Sequence, residues 1–226
     1  MATLPSFWQT APFREVSVRI VSDARFRPGI LGAMLAQLQT KSQPPIVQPE
    51  FSQAEALVTL RTAEEALQQK SSEQADREAQ AAEDKVKAAL SANPTDSFLW
   101  VMLYSVKTAR NGFDPKYISY LDQSYAAGPN EGWVALRRNQ IALATFLRLS
   151  EHVQNAVIAE FAAMVDSDFI AAAAVNLTGV GWTYKERLLA GLGQVDLASK
   201  QALRKHLSND GIKVHVPGLE VDDRPW

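Results

Sequence analysis

Apolar residues recur every three or four positions over most of the chain, and polar or charged residues stand between them. This spacing is typical of α-helices with one buried face, because 3.6 residues complete a turn. The pattern predicts an all-α fold of about eleven helices with almost no strand. The predicted helices cover residues 13–24, 29–40, 52–70, 72–92, 97–110, 115–127, 131–149, 150–165, 168–177, 183–192 and 196–208.

Capping residues mark several of these helix ends. A side-chain oxygen just before a helix can accept the free N–H groups of its first turn, and we expect this role for Asp96, Asn130, Ser150 and Asp168. Gly112 follows an apolar run, where the left-handed conformation commonly ends a helix. The charged face between residues 73 and 87 is interpreted as a solvated helix face with i,i+4 ion pairs, in preference to a docking strip.

A short phrase occurs twice in the middle of the chain. WVML begins at Trp100 and WVAL begins at Trp133, a separation of 133 − 100 = 33 residues. A proline precedes each phrase, Pro94 and Pro129, with a separation of 129 − 94 = 35 residues. A period of roughly 34 residues predicts repeated helix pairs that bury their faces against one another.

The preceding helices share a second pattern. Aligned on the two prolines, they contain Ala82, Val86 and Ala89 in one case, and Tyr117, Leu121 and Ser124 in the other. The chain therefore resembles the tetratricopeptide-like helical repeat family, best over residues 73–165. The resemblance implies antiparallel helix pairs, with small residues where helices approach closely and both tryptophans filling the space between helix layers. An α-α superhelix and a compact helical bundle both stay open, because the outer segments depart from the pattern.

The chain divides by its composition into three parts. Residues 1–12, with two prolines, predict a disordered lead. Residues 13–210 form the helical domain, although β-branched residues in 13–24 also permit a strand there. Residues 211–226 include Pro217 and Gly218, and they predict an extended tail packed along the last helix.

Several classes of function are disfavoured by composition and motifs. The formal net charge of −2 does not suggest a nucleic-acid partner. There is no cysteine, and the three histidines lie far apart without the spacing of a metal site. No phosphate-binding loop and no serine nucleophile motif is present. We therefore expect no metal, no cofactor and no enzymatic activity.

The candidate binding residues lie on the first helix of each predicted pair. In helical repeats of the resembled type, this helix lines the inward groove, so that Ser105 and Arg138 occupy matching positions, with Val101, Val134 and Arg137 nearby. An arginine there could bind the carboxylate of a partner peptide or of an acidic sugar in a bidentate manner. The alternative is a solvated arginine.

A narrower likeness concerns the phrases DSFLWVMLY, NGFDPKYISYLDQSYAAGPNEGWVALRRN and VPGLEVDDRPW. They are similar to a family of uncharacterised alphaproteobacterial proteins associated with exopolysaccharide production. Members usually carry a hydrophobic anchor before this region, which implies a periplasmic domain tethered to the inner membrane. Without 18 consecutive apolar residues, the chain as given is expected to be soluble, and any membrane association depends on such an anchor.

The hypothesis from the sequence is a non-catalytic scaffold that binds a protein partner, such as a component of polysaccharide assembly or export. One alternative is a polysaccharide-acting enzyme or sugar-binding carrier with a cleft near the C-terminal tail. Another is a homo-oligomer formed through an uncovered end of the helix stack.

Overall fold

The computed structural model describes residues 30, 33, 36, 55–59, 61, 62 and 72–219. The predictions for residues 1–12 and 13–24, most of those for 29–40 and 52–70, and the last seven residues of the predicted tail lie outside this part. The chain forms two compact units, residues 1–128 and residues 129–226. We describe each unit by itself.

The described residues confirm the all-α class, because they contain helices and no strand. The first unit contains α1 (Ser72–Ala92), α2 (Ser97–Asn111) and α3 (Ile118–Ala127), with a 3-10 turn at Pro115–Tyr117. The second unit contains α4 (Gly132–Ala144), α5 (Glu151–Asp166), α6 (Ile170–Thr178), α7 (Lys185–Ala190) and α8 (Leu197–Asn209). Further 3-10 turns lie at Phe146–Arg148, Trp182–Tyr184 and Gly191–Gln194.

Local signals placed several helix ends correctly. The Asp96 carboxylate accepts the Leu99 N–H at 3.0 Å, and the Ser150 hydroxyl oxygen accepts the Val153 N–H at 3.4 Å. Gly112, which follows α2, has φ of 75°. Side-chain caps and a left-handed glycine depend on a few neighbouring residues, which explains why the sequence reveals them.

Two predicted caps are wrong. Glu131, not Asn130, immediately precedes α4. Asp168 does not cap α6, because it takes φ of 65° and helps to close α5. The Phe169 N–H donates to the Met164 carbonyl at 2.9 Å, and the Asp168 N–H donates to the Val165 carbonyl at 3.3 Å. These two bonds form a Schellman motif, with an aspartate where glycine is usual.

Small residues allow close packing in the first unit. Helix α2 packs against both α1 and α3. Ala82 and Ser124 have no exposed surface, as the sequence predicted for points of close approach. The Ser124 hydroxyl donates to the Ser97 carbonyl at 2.7 Å, which joins α3 to the start of α2. A larger side chain at either point would separate the helices.

The two tryptophans differ in their surroundings. Trp100 is half-buried, its indole N–H donates to the Pro94 carbonyl at 2.8 Å, and its ring stacks on Tyr120 with centroids 6.1 Å apart. Trp133 is 40% exposed, so the prediction that it fills the space between helix layers is wrong. Only Gly132 precedes Trp133 in α4. Since helical side chains point back towards the N-terminus, its ring has little helix to pack along.

Helix α5 is central to the second unit, where it packs against α4, α6, α7 and α8. Its buried face includes Val157, Phe161 and Met164. After α8, residues 212–216 have no regular secondary structure, and Val216 is buried. A Cβ atom on Gly218 would lie 3.7 Å from the Lys200 Nζ atom, which places this part of the tail beside the beginning of α8.

Within the described residues, no helix is both long and apolar enough to cross a lipid bilayer.

Replacement of Ala82 by leucine tests the close packing of the first unit. Because Ala82 has no exposed surface, we expect Ala82→Leu to lower the free energy of unfolding by about 1–3 kcal/mol. Ala92→Leu, at the exposed end of the same helix, is the matched control and should change it by no more than about 0.5 kcal/mol. Urea denaturation followed by circular dichroism measures both. Equal effects of the two substitutions would contradict the packing argument.

Candidate functional site

Three of the five predicted binding residues have no exposed surface in the structure. Val101 and Ser105 lie on α2 in the first unit, while Val134, Arg137 and Arg138 lie on α4 in the second. Ser105 and Arg137 are half-buried, and the Ser105 hydroxyl donates to the Val101 carbonyl at 3.0 Å. The other three side chains have no exposed surface. A groove cannot be lined by side chains that no partner can touch, so the predicted groove positions of Val101, Val134 and Arg138 are wrong.

Arg138 forms a buried ion pair with Glu160 of α5. Its Nε–H donates to the Glu160 Oε1 atom at 2.8 Å, and its Nη2 atom lies 2.6 Å from the same oxygen. The side chains of Arg138 and Glu160 are 0% and 3% exposed. Burial of either charge alone would cost several kcal/mol, so each requires the other. Arg138 is therefore neither the solvated arginine nor the surface contact that the sequence suggested.

Two asparagines extend this pair into a network. The Asn139 side-chain amide donates to the Val157 carbonyl at 3.0 Å and to the Glu160 Oε2 atom at 3.3 Å. The Asn176 amide of α6 donates to the Asn139 Oδ1 atom at 3.1 Å. The network thus joins α4, α5 and α6 through buried polar groups.

Gly181 completes the surroundings of Asn176. Its N–H donates to the Asn176 carbonyl at 2.8 Å, and a Cβ atom there would lie 2.7 Å from that oxygen. Any larger residue would have to push the chain away from α6. Gly181 therefore serves close backbone packing.

A cavity of about 400 Å³ lies between α4, α5 and the turn that follows α5. Its walls consist mainly of short or apolar side chains, and the buried residue Glu160 is among the lining residues. On α5, Ala159 and Ala163 are exposed and Ala156 is half-buried, so the cavity is open to solvent. It is lined by Pro129, Asn130, Glu131, Gly132, Ala135, Ala156, Ala159, Glu160, Ala163, Met164, Ser167 and Phe169.

The ends of two helices shape this cavity. The Schellman motif at the end of α5 holds Phe169 in place, and the Phe169 ring lies 3.4 Å from the position that a Cβ atom on Gly132 would occupy. The short side chains along α5 then leave space that no side chain of the described residues fills. A volume of this size is within the range of pockets that hold a ligand or a partner's side chain.

The first unit contains a second cluster of charges, centred on Glu83. Its carboxylate is 2% exposed and lies 2.5 Å from the Lys87 Nζ atom, 2.6 Å from that of Lys107 and 3.5 Å from the Arg110 Nη1 atom. Burial by itself raises the pKa of Glu83, but the hydrogen bonds from Lys107 and Lys87 outweigh it, and the pKa falls below its ordinary value of 4.5. The cluster joins α1 to α2.

The charged face of α1 contains the expected i,i+4 pairs. Arg77 contacts Glu73 at 3.0 Å, the Gln80 amide donates to Asp84 at 2.9 Å, and Lys87 pairs with Glu83. Glu83 lies on this charged face but is not exposed to solvent, because α2 packs over it. Neither this carboxylate nor Glu160 was singled out by the sequence, although Glu160 interrupts the apolar run AVIAEFAAMV.

Comparison with protein-family models, with curated proteins and with solved structures gives no match. The cavity and its neighbouring side chains are therefore the structural basis for a functional proposal. Among the described residues, no group of three or more histidine, aspartate or glutamate side chains could hold a metal ion.

Removal of one partner tests the buried ion pair. Arg138→Ala leaves the Glu160 charge without its counter-ion, and we expect the free energy of unfolding to fall by about 3–5 kcal/mol. The matched control is Arg77→Ala, whose pair with Glu73 has side chains 67% and 86% exposed; it should cost no more than about 1 kcal/mol. Urea denaturation provides the comparison. The network would not be structural if Arg138→Ala were as mild as the control.

Acid titration tests the Glu83 cluster. Because the pKa of Glu83 is lowered in the folded state, its negative charge stabilises the fold at pH values above its ordinary pKa of 4.5. This contribution is lost as the pH falls through the pKa of the folded state. Glu83→Gln should therefore be less stable than the wild type at neutral pH, and the difference should shrink below pH 4.5. Denaturation curves over this range measure it. A difference that stays constant with pH would contradict the assignment.

Proposed function

We propose that this protein is a non-catalytic interaction module that holds a segment of a protein partner in the cavity between α4 and α5. The observation that carries the proposal is the open, mostly apolar volume of about 400 Å³ beside a fixed polar network. A preorganised cavity favours binding, because little ordering is required when the partner arrives.

The chemistry of the cavity supports binding over catalysis. Its buried carboxylate, Glu160, accepts hydrogen bonds from Arg138 and Asn139, and these bonds hold it in a structural role. The last lining residue along the chain is Phe169, so the C-terminal tail does not line this cavity. The cavity is therefore different from the cleft near the tail that the enzyme or carrier alternative required.

The likeness in the sequence suggests exopolysaccharide assembly as the process and the periplasm as the compartment. Three further statements also remain predictions: the tetratricopeptide-like pairing of helices, attachment through an additional anchor, and self-association. These statements depend on the resemblance and on uncovered helix faces, while the binding proposal depends on the cavity.

A photo-crosslinking residue at the edge of the cavity tests the proposal in cells that produce the protein. Ser167 lines the cavity and is exposed, so benzoylphenylalanine can replace it without filling the interior. We expect illumination to yield a discrete adduct with a second protein, and we expect Ala159→Leu, which fills the cavity, to abolish it. Ser208, an exposed serine of α8 that does not line the cavity, is the matched control position.

The proposal would be contradicted by an adduct that survives Ala159→Leu, or by the same adducts from positions 167 and 208. Circular dichroism of Ala159→Leu verifies that the variant folds, and Ala163→Leu repeats the test at a second exposed alanine of the cavity.

A further inference from the structure

The residues of α5 that line the cavity form one continuous face of the helix. Their spacing keeps them on the same side of a helix with 3.6 residues per turn. This face contains Ala156, Ala159, Glu160, Ala163, Met164 and, directly after the helix, Ser167. It extends for about 16 Å, which corresponds to about three turns at 1.5 Å per residue.

Two rows of residues run along this face, and they differ in exposure. In each row the residues are four positions apart, as in the ridges of a helix surface. Glu160 and Met164 belong to a buried inner row, whereas Ala159, Ala163 and Ser167 form an exposed outer row. The outer row therefore presents a shallow channel of short side chains to solvent.

The opposite wall of the cavity is also built from short side chains. Its helical part consists of Gly132 and Ala135 in the first turn of α4. The distance between two packed helix axes decreases when the side chains at the contact are small. A third backbone can therefore approach both walls closely, and the large side chains that fill the volume must belong to it.

The middle of the cavity contains few groups that could bind a partner's backbone. Its side chains are alanines and Met164, which donate no hydrogen bond, and Glu160 already accepts hydrogen bonds within the core. Along α5 the backbone N–H and C=O groups bond within the helix. An extended segment would place its own N–H and C=O groups against walls that cannot bind them, whereas a helix satisfies these groups internally.

Three other common modes of peptide recognition do not suit these walls. Strand addition requires the edge of a sheet, and the described residues contain no strand. Polyproline segments bind grooves lined by aromatic rings, but Phe169 is the one aromatic residue among the described residues of the cavity. Acidic and phosphorylated motifs require arginine clusters, and no arginine is among these lining residues.

We infer that the partner segment is an amphipathic α-helix, which lies along the outer row of α5 and inserts large apolar side chains between α4 and α5. This inference rests on the proposed function and specifies the conformation and the chemistry of its partner. Anchoring side chains recur every three or four residues on one face of such a helix, so about three turns of it cover the cavity.

Selection of peptides from a random displayed library, against the full chain, tests the inference, because such a library favours no conformation in advance. We expect the enriched peptides to contain leucine, methionine or aromatic residues at positions i, i+3 or i+4, and i+7. Fluorescence anisotropy with labelled copies of these peptides measures their affinity. In circular dichroism, a mixture of peptide and protein should contain more helix than the sum of its separate components.

A proline between two anchor positions of the peptide distinguishes a helix from an extended segment. We expect this proline to weaken binding about a hundredfold, because it removes a hydrogen bond and disrupts the interior of a helix. Alanine at the same position is the matched control, and it should change the affinity less than about twofold, because alanine favours the helix.

A substitution in the outer row tests where the helix binds. We expect Ala163→Leu to weaken the binding of the enriched peptides at least about tenfold, because the leucine occupies space that the partner requires. The matched control is Ala144→Leu, at an exposed alanine that ends α4 and does not line the cavity. It should change the affinity less than about twofold.

The outcomes distinguish this inference from the function on which it rests. Enriched peptides that Ala159→Leu and Ala163→Leu block, but that tolerate the proline, would overturn the helical partner and leave the docking function standing. If no enriched peptide depends on Ala159 or Ala163, the proposed function itself is overturned. Light scattering tests a different occupant: a dimer that Ala163→Leu dissociates would assign the cavity to a second copy of this chain and overturn a separate partner.

Discussion

The buried charge of Glu160 constrains the second unit more than any other group described for it. A carboxylate that is 3% exposed is tolerated in a protein interior when a cation and hydrogen-bond donors surround it. Arg138 and Asn139 meet this need from α4, and Asn176 holds Asn139 from α6. Any shift of one helix along another would break these bonds and leave polar groups unsatisfied. The relative positions of three helices therefore depend on one charge.

The cavity follows from the same arrangement. The ion pair sets the separation of α4 and α5 at their centre, while alanines at 156, 159 and 163 leave the space beside it open. At the far end, Asp168 adopts a left-handed conformation that costs a non-glycine residue roughly 1–2 kcal/mol. This strained turn directs Phe169 towards Gly132. The short-walled volume thus lies between a buried polar network and the turn that ends α5.

Local signals in the sequence predicted much of the fold and little of the site. Helix periodicity and the caps at Asp96 and Ser150 depend on nearby residues, so they could be recognised. The burial of Arg138 depends on Glu160, which lies 22 residues away on another helix. Two adjacent arginines, Arg137 and Arg138, look alike in a sequence, although one is half-buried and the other has no exposed surface. The signal that was missed is the charge at Glu160 within an apolar run.

Each unit contains a buried carboxylate that pairs with a cation of a neighbouring helix, but the two sites differ in the exposure of the cations. Glu83 lies close to Lys87, Lys107 and Arg110. The Lys87 side chain is 49% exposed, so solvent and salt screen the charge of this lysine. Glu160 pairs with Arg138 in the core, and it also lines the cavity. A ligand in the cavity would therefore lie beside the pair that joins α4 to α5. Because a ligand that binds the folded state alone stabilises it, occupancy of the cavity should raise the stability of the second unit.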